Sequence, residues 1–345
     1  IISSAENIGA YRSQILSSLN GKILRIDPMT GDGVPSNPYY QTNNPRSARS
    51  RVWSRGVRNP YRITKKPDTG DHDPTEGNPG VFFFGDVGWG TWEDLNVISA
   101  PGQNFGWPKY EGIDYQPGYN NNTYAPSTHR RPKIDFRHGQ DVARGWVNGQ
   151  KVNVGSATLP GTPFRGNAST GGVWYTGDDF PPAYKNTYFH ADYSSGWIRN
   201  FEFDNNNNPT QVNEFADGLG PVVFLNTHPL DGSLYYVAYP DEIRKISYTG
   251  TFNKAPIVNA SAQMLNQSAP VNVQFTGDQS FDPDFDVLTY LWNFDDGTTS
   301  TEANPLHVFD PNNSNPTGYD VTLTVSDGNL TATKNLTITV NNSAP

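Results

Sequence analysis

The residues able to do chemistry are spread unevenly along this chain. Four aspartates, Asp282, Asp284, Asp286 and Asp327, fall in two loops, three of them at alternate positions. Alternating carboxylates offer the hard oxygen ligands that calcium takes. The same spacing also serves turns closed by Asx hydrogen bonds, and both readings stay open. The chain has no cysteine, so disulfides, zinc–thiolate sites, iron–sulfur clusters and Cys nucleophiles are excluded. His190 and His228 have no acid at a useful spacing and read as structural, while His72 and His138 sit in polar loops where solvation is expected. Trp89, Trp92 and Trp107 read either as packing between sheets or as a platform for stacking sugar rings. Eight Asn-x-Ser/Thr sequons, at Asn121, Asn167, Asn259, Asn266, Asn312, Asn329, Asn335 and Asn341, favour exposure to a glycosylating machinery.

These groups need a scaffold, and composition narrows it. The 345 residues give two domains as the expectation. A net charge of −9 argues against a nucleic-acid partner and against attraction to anionic lipid. No apolar run is long enough to insert into a membrane. With 33 Gly and 28 Pro an all-helical bundle is excluded, and 13% aromatics fits an all-β chain with an extracellular type of surface. About twelve strands are predicted in the first 250 residues, from Gly21–Asp27 to Glu242–Tyr248, with Tyr11–Leu19 as the single helical candidate. Serial short strands of this kind point to a β-propeller, and twelve at four per blade make about three blades. Residues 112–170 read as one long irregular stretch, pinned by Tyr115, Tyr119, Tyr124, Trp146 and Phe164. The composition changes near residue 250, which divides the chain into 1–250, a linker at 251–256, a second module at 257–341, and the start of a further linker at 342–345. Both ends read as parts of something longer.

Four segments, in order, are Gly21-Lys-Ile-Leu-Arg-Ile-Asp-Pro28, Gly56-Val-Arg-Asn-Pro-Tyr61, Gly85-Asp-Val-Gly-Trp-Gly-Thr-Trp-Glu-Asp-Leu-Asn96 and Gln103-Asn-Phe-Gly-Trp-Pro108. Together with Gly171-Gly-Val-Trp-Tyr175 and His190-Ala-Asp-Tyr-Ser-Ser-Gly-Trp-Ile198 they resemble the glucose/sorbosone dehydrogenase family. The resemblance implies a six-bladed propeller, of which half to two-thirds is present, and sugar oxidation with PQQ and calcium. It places Arg58 and Asn59 against PQQ. It also assigns the carbonyls of Gly88 and Trp89 to one calcium, and Asp94 with the carbonyl of Phe105 to a second. Asn272 to Asp286, Leu288-Thr-Tyr-Leu-Trp-Asn-Phe-Asp-Asp-Gly297 and Tyr319 to Gly328 resemble the PKD domain, implying an immunoglobulin-like β-sandwich with Trp292 as core anchor.

The departures from the family pattern carry equal weight. The family's catalytic His precedes the matched region, so no catalytic residue is assigned here. Ser194 and Ser195 stand where a cation should grip the cofactor, and Val222-Val-Phe-Leu225 replaces later charged positions. Two functions are therefore expected to compete. One is a secreted PQQ-dependent sugar dehydrogenase, completed by a missing N-terminal propeller segment or another chain. The other is a non-catalytic extracellular or cell-surface protein that binds glycan or protein, or has a structural role.

Overall fold

The computed structural model describes residues 9–71, 73, 77–116, 119, 126–230, 232–250, 253–266, 269–311 and 317–340. His72, Tyr124, Asn121, Asn312 and Asn341 lie outside the described residues, as do parts of both expected linkers. The chain divides into two compact units, Ile1–Tyr248 and Thr249–Pro345.

The first unit opens with a strand pair, β1 (Lys22–Leu24) and β2 (Val52–Arg55), the short helix α1 (Ala48–Arg51) leading directly into β2. Next comes a six-stranded antiparallel meander: β3 (Pro60–Lys65), β4 (Phe82–Asp86), β5 (Trp92–Ile98), β8 (Ile134–Arg137), β9 (Ala143–Val147) and β10 (Gln150–Asn153). A small hairpin, β6 (Tyr110–Glu111) and β7 (Asp114–Tyr115), is inserted between β5 and β8. The second meander has four strands, β11 (Ser169–Trp174), β12 (Tyr188–Asp192), β13 (Trp197–Phe203) and β14 (Pro209–Ala216). The third has three, β15 (Val222–Thr227), β16 (Leu234–Ala238) and β17 (Glu242–Ile246).

The middle meander is packed on both faces, which explains its unbroken burial. Trp174, Tyr188, Trp197 and Phe201 point towards the six-stranded sheet and meet Phe83, Leu95, Ile134 and Phe136. Their sequence neighbours Val173, Tyr175, Phe189 and Ile198 point the other way, onto Val222, Leu225, Leu234 and Tyr236. A strand covered on both faces loses the apolar–polar alternation of a half-exposed one. Serial antiparallel sheets packed face to face, with β11 set against both β3 and β15, are the arrangement of propeller blades.

Two sequence expectations are corrected. Within Tyr11–Leu19 only Tyr11 is helical and the residues after it form turns. Ser13 and Gln14 there bond the carbonyl of Trp107 at 2.6 and 2.7 Å, and Gln14 also bonds Asn104 at 3.0 Å, so tertiary contacts replace helical ones. The described part of residues 112–170 is not one irregular stretch; it includes β7 to β10 and enters β11.

The second unit is a two-sheet sandwich. One sheet pairs β18 (Ser261–Met264), β19 (Val271–Thr276) and β22 (Leu306–Phe309). The other pairs β21 (Thr299–Ser300), β20 (Thr289–Asn293), β23 (Thr317–Ser326) and β24 (Thr331–Val340). Val321, Leu323 and Val325 alternate inward as the sequence implies, and join Trp292, Phe275, Phe294 and Phe309 in its core.

Candidate functional site

In the first unit, loops at one end of the six-stranded sheet converge. Arg58, Gly88, Asp94 and Phe105, four of the residues implicated by sequence, line one cavity of about 10 Å³ together with Asp86, Trp107, Tyr110 and Glu111. A space of that size holds about one water-sized sphere. Asn59 is adjacent and exposed, and its backbone N–H donates to Asp86 Oδ1 at 2.6 Å, while that of Arg58 donates to Oδ2 at 3.0 Å. The Arg58 guanidinium donates to the Val87 carbonyl at 2.7 Å and lies 5.6 Å from the Trp107 ring centroid. Arg58 thus braces the loop that carries Val87.

Buried carboxylates dominate the site, and most are satisfied by the protein itself. Glu111 Oε1 accepts the backbone N–H groups of Trp89, Gly90 and Thr91, each at 2.9 Å, and that of Trp92 at 3.3 Å. Gln116 holds its other oxygen at 2.7 Å. This one side chain shapes the whole 89–92 turn. Gly88 is needed beside it, because a Cβ there would lie 1.8 Å from the Trp92 carbonyl oxygen. Glu93 Oε2 accepts from Ser169 N–H at 2.7 Å and Gly88 N–H at 3.2 Å, and Glu93 Oε1 meets His138 Nε2 at 2.6 Å. Asp135 is clamped by Arg144, its cross-strand neighbour, whose guanidinium stacks 3.5 Å from the Trp92 ring centroid.

Asp94 differs. Its Oδ2 accepts a long hydrogen bond from Gly112 N–H at 3.3 Å, but its buried Oδ1 has no partner. Burial, followed by the charges of Asp135, Asp86, Glu93 and Glu111, pushes its carboxyl well above the usual carboxylate range. Burial also raises Asp86, to about 6.

Trp89 sits beyond the cavity lining, 47% exposed. Its ring is 6.3 Å from that of Trp107 and 5.8 Å from that of Tyr119, and the last two are 5.9 Å apart. Of the three rings Trp89 is exposed, Trp107 is half-buried next to Arg58, and Tyr119 is buried behind them. The expectation of a solvated His138 is corrected, since it is paired to a fully buried Glu93, and that hydrogen bond raises its pKa. His190 is structural: it is fully buried, bonded to Ser169 Oγ at 3.0 Å, and burial lowers its pKa to about 3.

In the second unit Asp282 closes an Asx turn, its Oδ1 accepting the N–H groups of Asp284 at 2.7 Å and Asp286 at 3.2 Å. Asp284 accepts from Lys254 N–H at 2.5 Å, and Asp327 from the Asn253 side chain at 2.8 Å. Among the described residues, no three His, Cys, Asp or Glu side chains assemble as a metal-binding group. Any ion at Asp94 or at Asp282 would therefore rely on carbonyls and water for its remaining ligands. Yet among the described residues the buried carboxylate oxygens without a partner are Asp94 Oδ1 and Asp282 Oδ2, at two of the three places where sequence implied calcium. PQQ fits less well: a tricarboxylate would meet Asp86, Asp94 and Glu111 beside Arg58, while Ser194 and Ser195 line a different cavity.

Sequence comparison agrees with this division into a propeller portion and a sandwich. Residues 1–147 match the Glucose / Sorbosone dehydrogenase family model, and residues 253–341 match the PKD domain. Collagenase ColQ1 of Bacillus cereus (strain Q1) is 40% identical over 91 residues, 23% of this chain and 9% of that protein. The HIPL1 protein of Arabidopsis thaliana is 32% identical over 117 residues, 30% of this chain and 15% of that protein. The chain thus spans well under a fifth of these curated relatives. In structure it is similar to the PQQ-bound form of Aldose Sugar Dehydrogenase from Streptomyces coelicolor, at 21% identity and a TM-score of 0.42, covering 66% of this chain and 48% of that one.

Proposed function

We propose that this chain is part of a secreted or cell-surface modular protein whose sugar-dehydrogenase-like propeller binds carbohydrate, with calcium at Asp94 bracing the binding loops and the PKD domain serving as a spacer. The observation that carries the reading is the exposed Trp89 ring, backed by the half-buried Trp107 and the buried Tyr119, beside Arg58. Aromatic faces stack on the apolar side of sugar rings, and a neighbouring guanidinium donates to hydroxyls. Binding is favoured over oxidation because His138, His190 and His129 are each committed elsewhere: to Glu93, to Ser169 and to a stack on Tyr110 with centroids 3.8 Å apart. None is placed as a base over the aromatic cluster.

Tryptophan fluorescence titrations with mono- and oligosaccharides test this. A saturable change is expected, lost in Trp89→Ala, an exposed position whose truncation leaves the fold intact. No saturable change with any sugar, or an unchanged response in the variant, would sink the reading. The family match at residues 1–147 supports a second reading, sugar oxidation when a further segment or another chain completes the propeller. Dye reduction by the completed protein with an aldose, PQQ and calcium would replace binding by catalysis.

A further inference from the structure

The chain is acidic overall, yet residues 9–60 carry eight Lys and Arg against two Asp. The first unit has a cavity of about 590 Å³ lined by Arg49, Arg55, Gln14, Gln41, Ser47 and Ser17 among others, with no Asp or Glu among the described residues of its wall. Arg49 belongs to α1 and Arg55 ends β2, so two rigid elements deliver the two guanidinium groups. Both flank the Tyr39 ring, at 6.0 and 5.7 Å from its centroid, and the Tyr39 hydroxyl is anchored on the Gly102 carbonyl at 3.2 Å. Among the described residues neither guanidinium has a carboxylate partner, and Arg55 Nε is buried without any hydrogen bond. Nearby Lys22 is held by three carbonyls, those of Arg12, Ser13 and Asn20, rather than by an acid. Burial, then the charge of Arg55, lowers its pKa to about 8.

A second cavity of about 630 Å³ in the same unit shows how the protein otherwise treats such arginines. There Arg199 is gripped by both oxygens of Asp217 at 3.0 Å, and Arg165 approaches Asp141 at 3.7 Å. The Arg49–Arg55 cavity lacks that compensation. Two guanidinium groups without an acid, in one cavity wall with Ser17, Gln41 and Ser47, supply the charge and the hydrogen-bonding groups that an oxyanion takes. The volume falls within the range of small-molecule sites, roughly 300–1,000 Å³.

We propose that this cavity binds a small oxyanion ligand, a molecule of about sugar size carrying a carboxylate, sulfate or phosphate group. The site is separate from the aromatic cluster and does not depend on the carbohydrate reading. The test is calorimetric titration of the full chain at constant ionic strength with glucuronate, sulfate, inorganic phosphate, glucose and chloride. Saturable binding of at least one of the three oxyanions is expected, with none by chloride, while any glucose binding at the aromatic cluster should be unchanged in the arginine variants below. Glucuronate alone would assign a carboxylate ligand, and sulfate or phosphate alone the tetrahedral anions. Arg49→Gln with Arg55→Gln should weaken binding at least tenfold, and Arg49→Gln alone, at a solvent-exposed position, should weaken it measurably without disturbing the fold. Equal binding of chloride, no binding of any oxyanion, or unchanged affinity in the single variant would overturn the proposal.

Discussion

Replacing Asp94 by asparagine should change stability with a sign that depends on calcium. Without metal, wild-type Asp94 keeps an unpartnered oxygen amid four other carboxylates. A buried polar atom left unsatisfied costs about 1–3 kcal/mol, and more when charged. Asparagine cannot ionise, and its carbonyl can still accept from Gly112 N–H, so the metal-free variant should melt at or above wild type. With calcium the order reverses. An ion present at about 100 times its dissociation constant stabilises the folded state by about 2.7 kcal/mol. For a unit of this size each kcal/mol moves the midpoint by about 2–4 °C, which predicts a rise of about 5–10 °C for wild type. The variant should barely respond. Differential scanning calorimetry in EDTA and in millimolar calcium reads both arms, with Asp282→Asn as the matching variant for the second unit. A first-unit transition that ignores calcium in wild type, or that rises equally in Asp94→Asn, would refute the assignment of Asp94 as a ligand.

Three further outcomes follow from the same geometry. Glu111→Ala strips four backbone N–H groups of their acceptor, and should cost about 3 kcal/mol in chemical denaturation while abolishing the Trp89 fluorescence response to sugar. His138 has its pKa raised, first by the Glu93 hydrogen bond, so its contribution is fully present below about pH 6.5 and lost as pH rises through the folded value. His138→Gln should therefore be less stable than wild type at pH 6, with the gap narrowing by pH 9. Trp292→Ala empties the centre of the sandwich core, and its loss of about 3–5 kcal/mol should abolish the cooperative transition of the second unit near room temperature.

Strands with plain alternation were legible from sequence, and the sandwich more so, because Val321, Leu323 and Val325 share one face opposite Trp292. The missed strands, β8 and β9 above all, hide their character behind buried charge. Ile134-Asp-Phe-Arg137 and Ala143-Arg-Gly-Trp-Val147 read as polar, yet Asp135 and Arg144 neutralise one another across the ladder. Glycines at positive φ, Gly112, Gly139 and Gly149, cut the region into pieces too short for periodicity to register. The site was half legible. Motif order brought out Arg58, Gly88, Asp94 and Phe105, which do line one cavity. Glu93 and Glu111 escaped notice because their partners lie in other segments, Ser169 and His138 for one and the 89–92 turn for the other. Only the run of acids around Asp94 could have hinted at them.

The carboxylates around that cavity explain why, in the proposed calcium reading, a single ion would suffice to complete it. Asp86 is satisfied by two backbone N–H groups, Glu111 by four and a side-chain amide, Glu93 by two and His138, and Asp135 by Arg144 and Ile113 N–H. The protein has thus spent its donors on every acid but one, and the deficit is confined to Asp94 Oδ1. A lysine in that place would need room for its stem, and the cavity offers about 10 Å³. A bare cation fits where a side chain does not. Calcium tolerates a mixed shell of one carboxylate, carbonyls and water, whereas magnesium demands near-octahedral geometry and gives up its water reluctantly. Arg58, held on the Val87 carbonyl at the rim, then remains free of the acids below it and can face outward with Trp107 and Trp89. In the proposed reading the buried charge and the exposed Trp89 ring are one construction: an ion at Asp94 would satisfy the one unmet oxygen beside the turn that Glu111 shapes, and that turn presents Trp89.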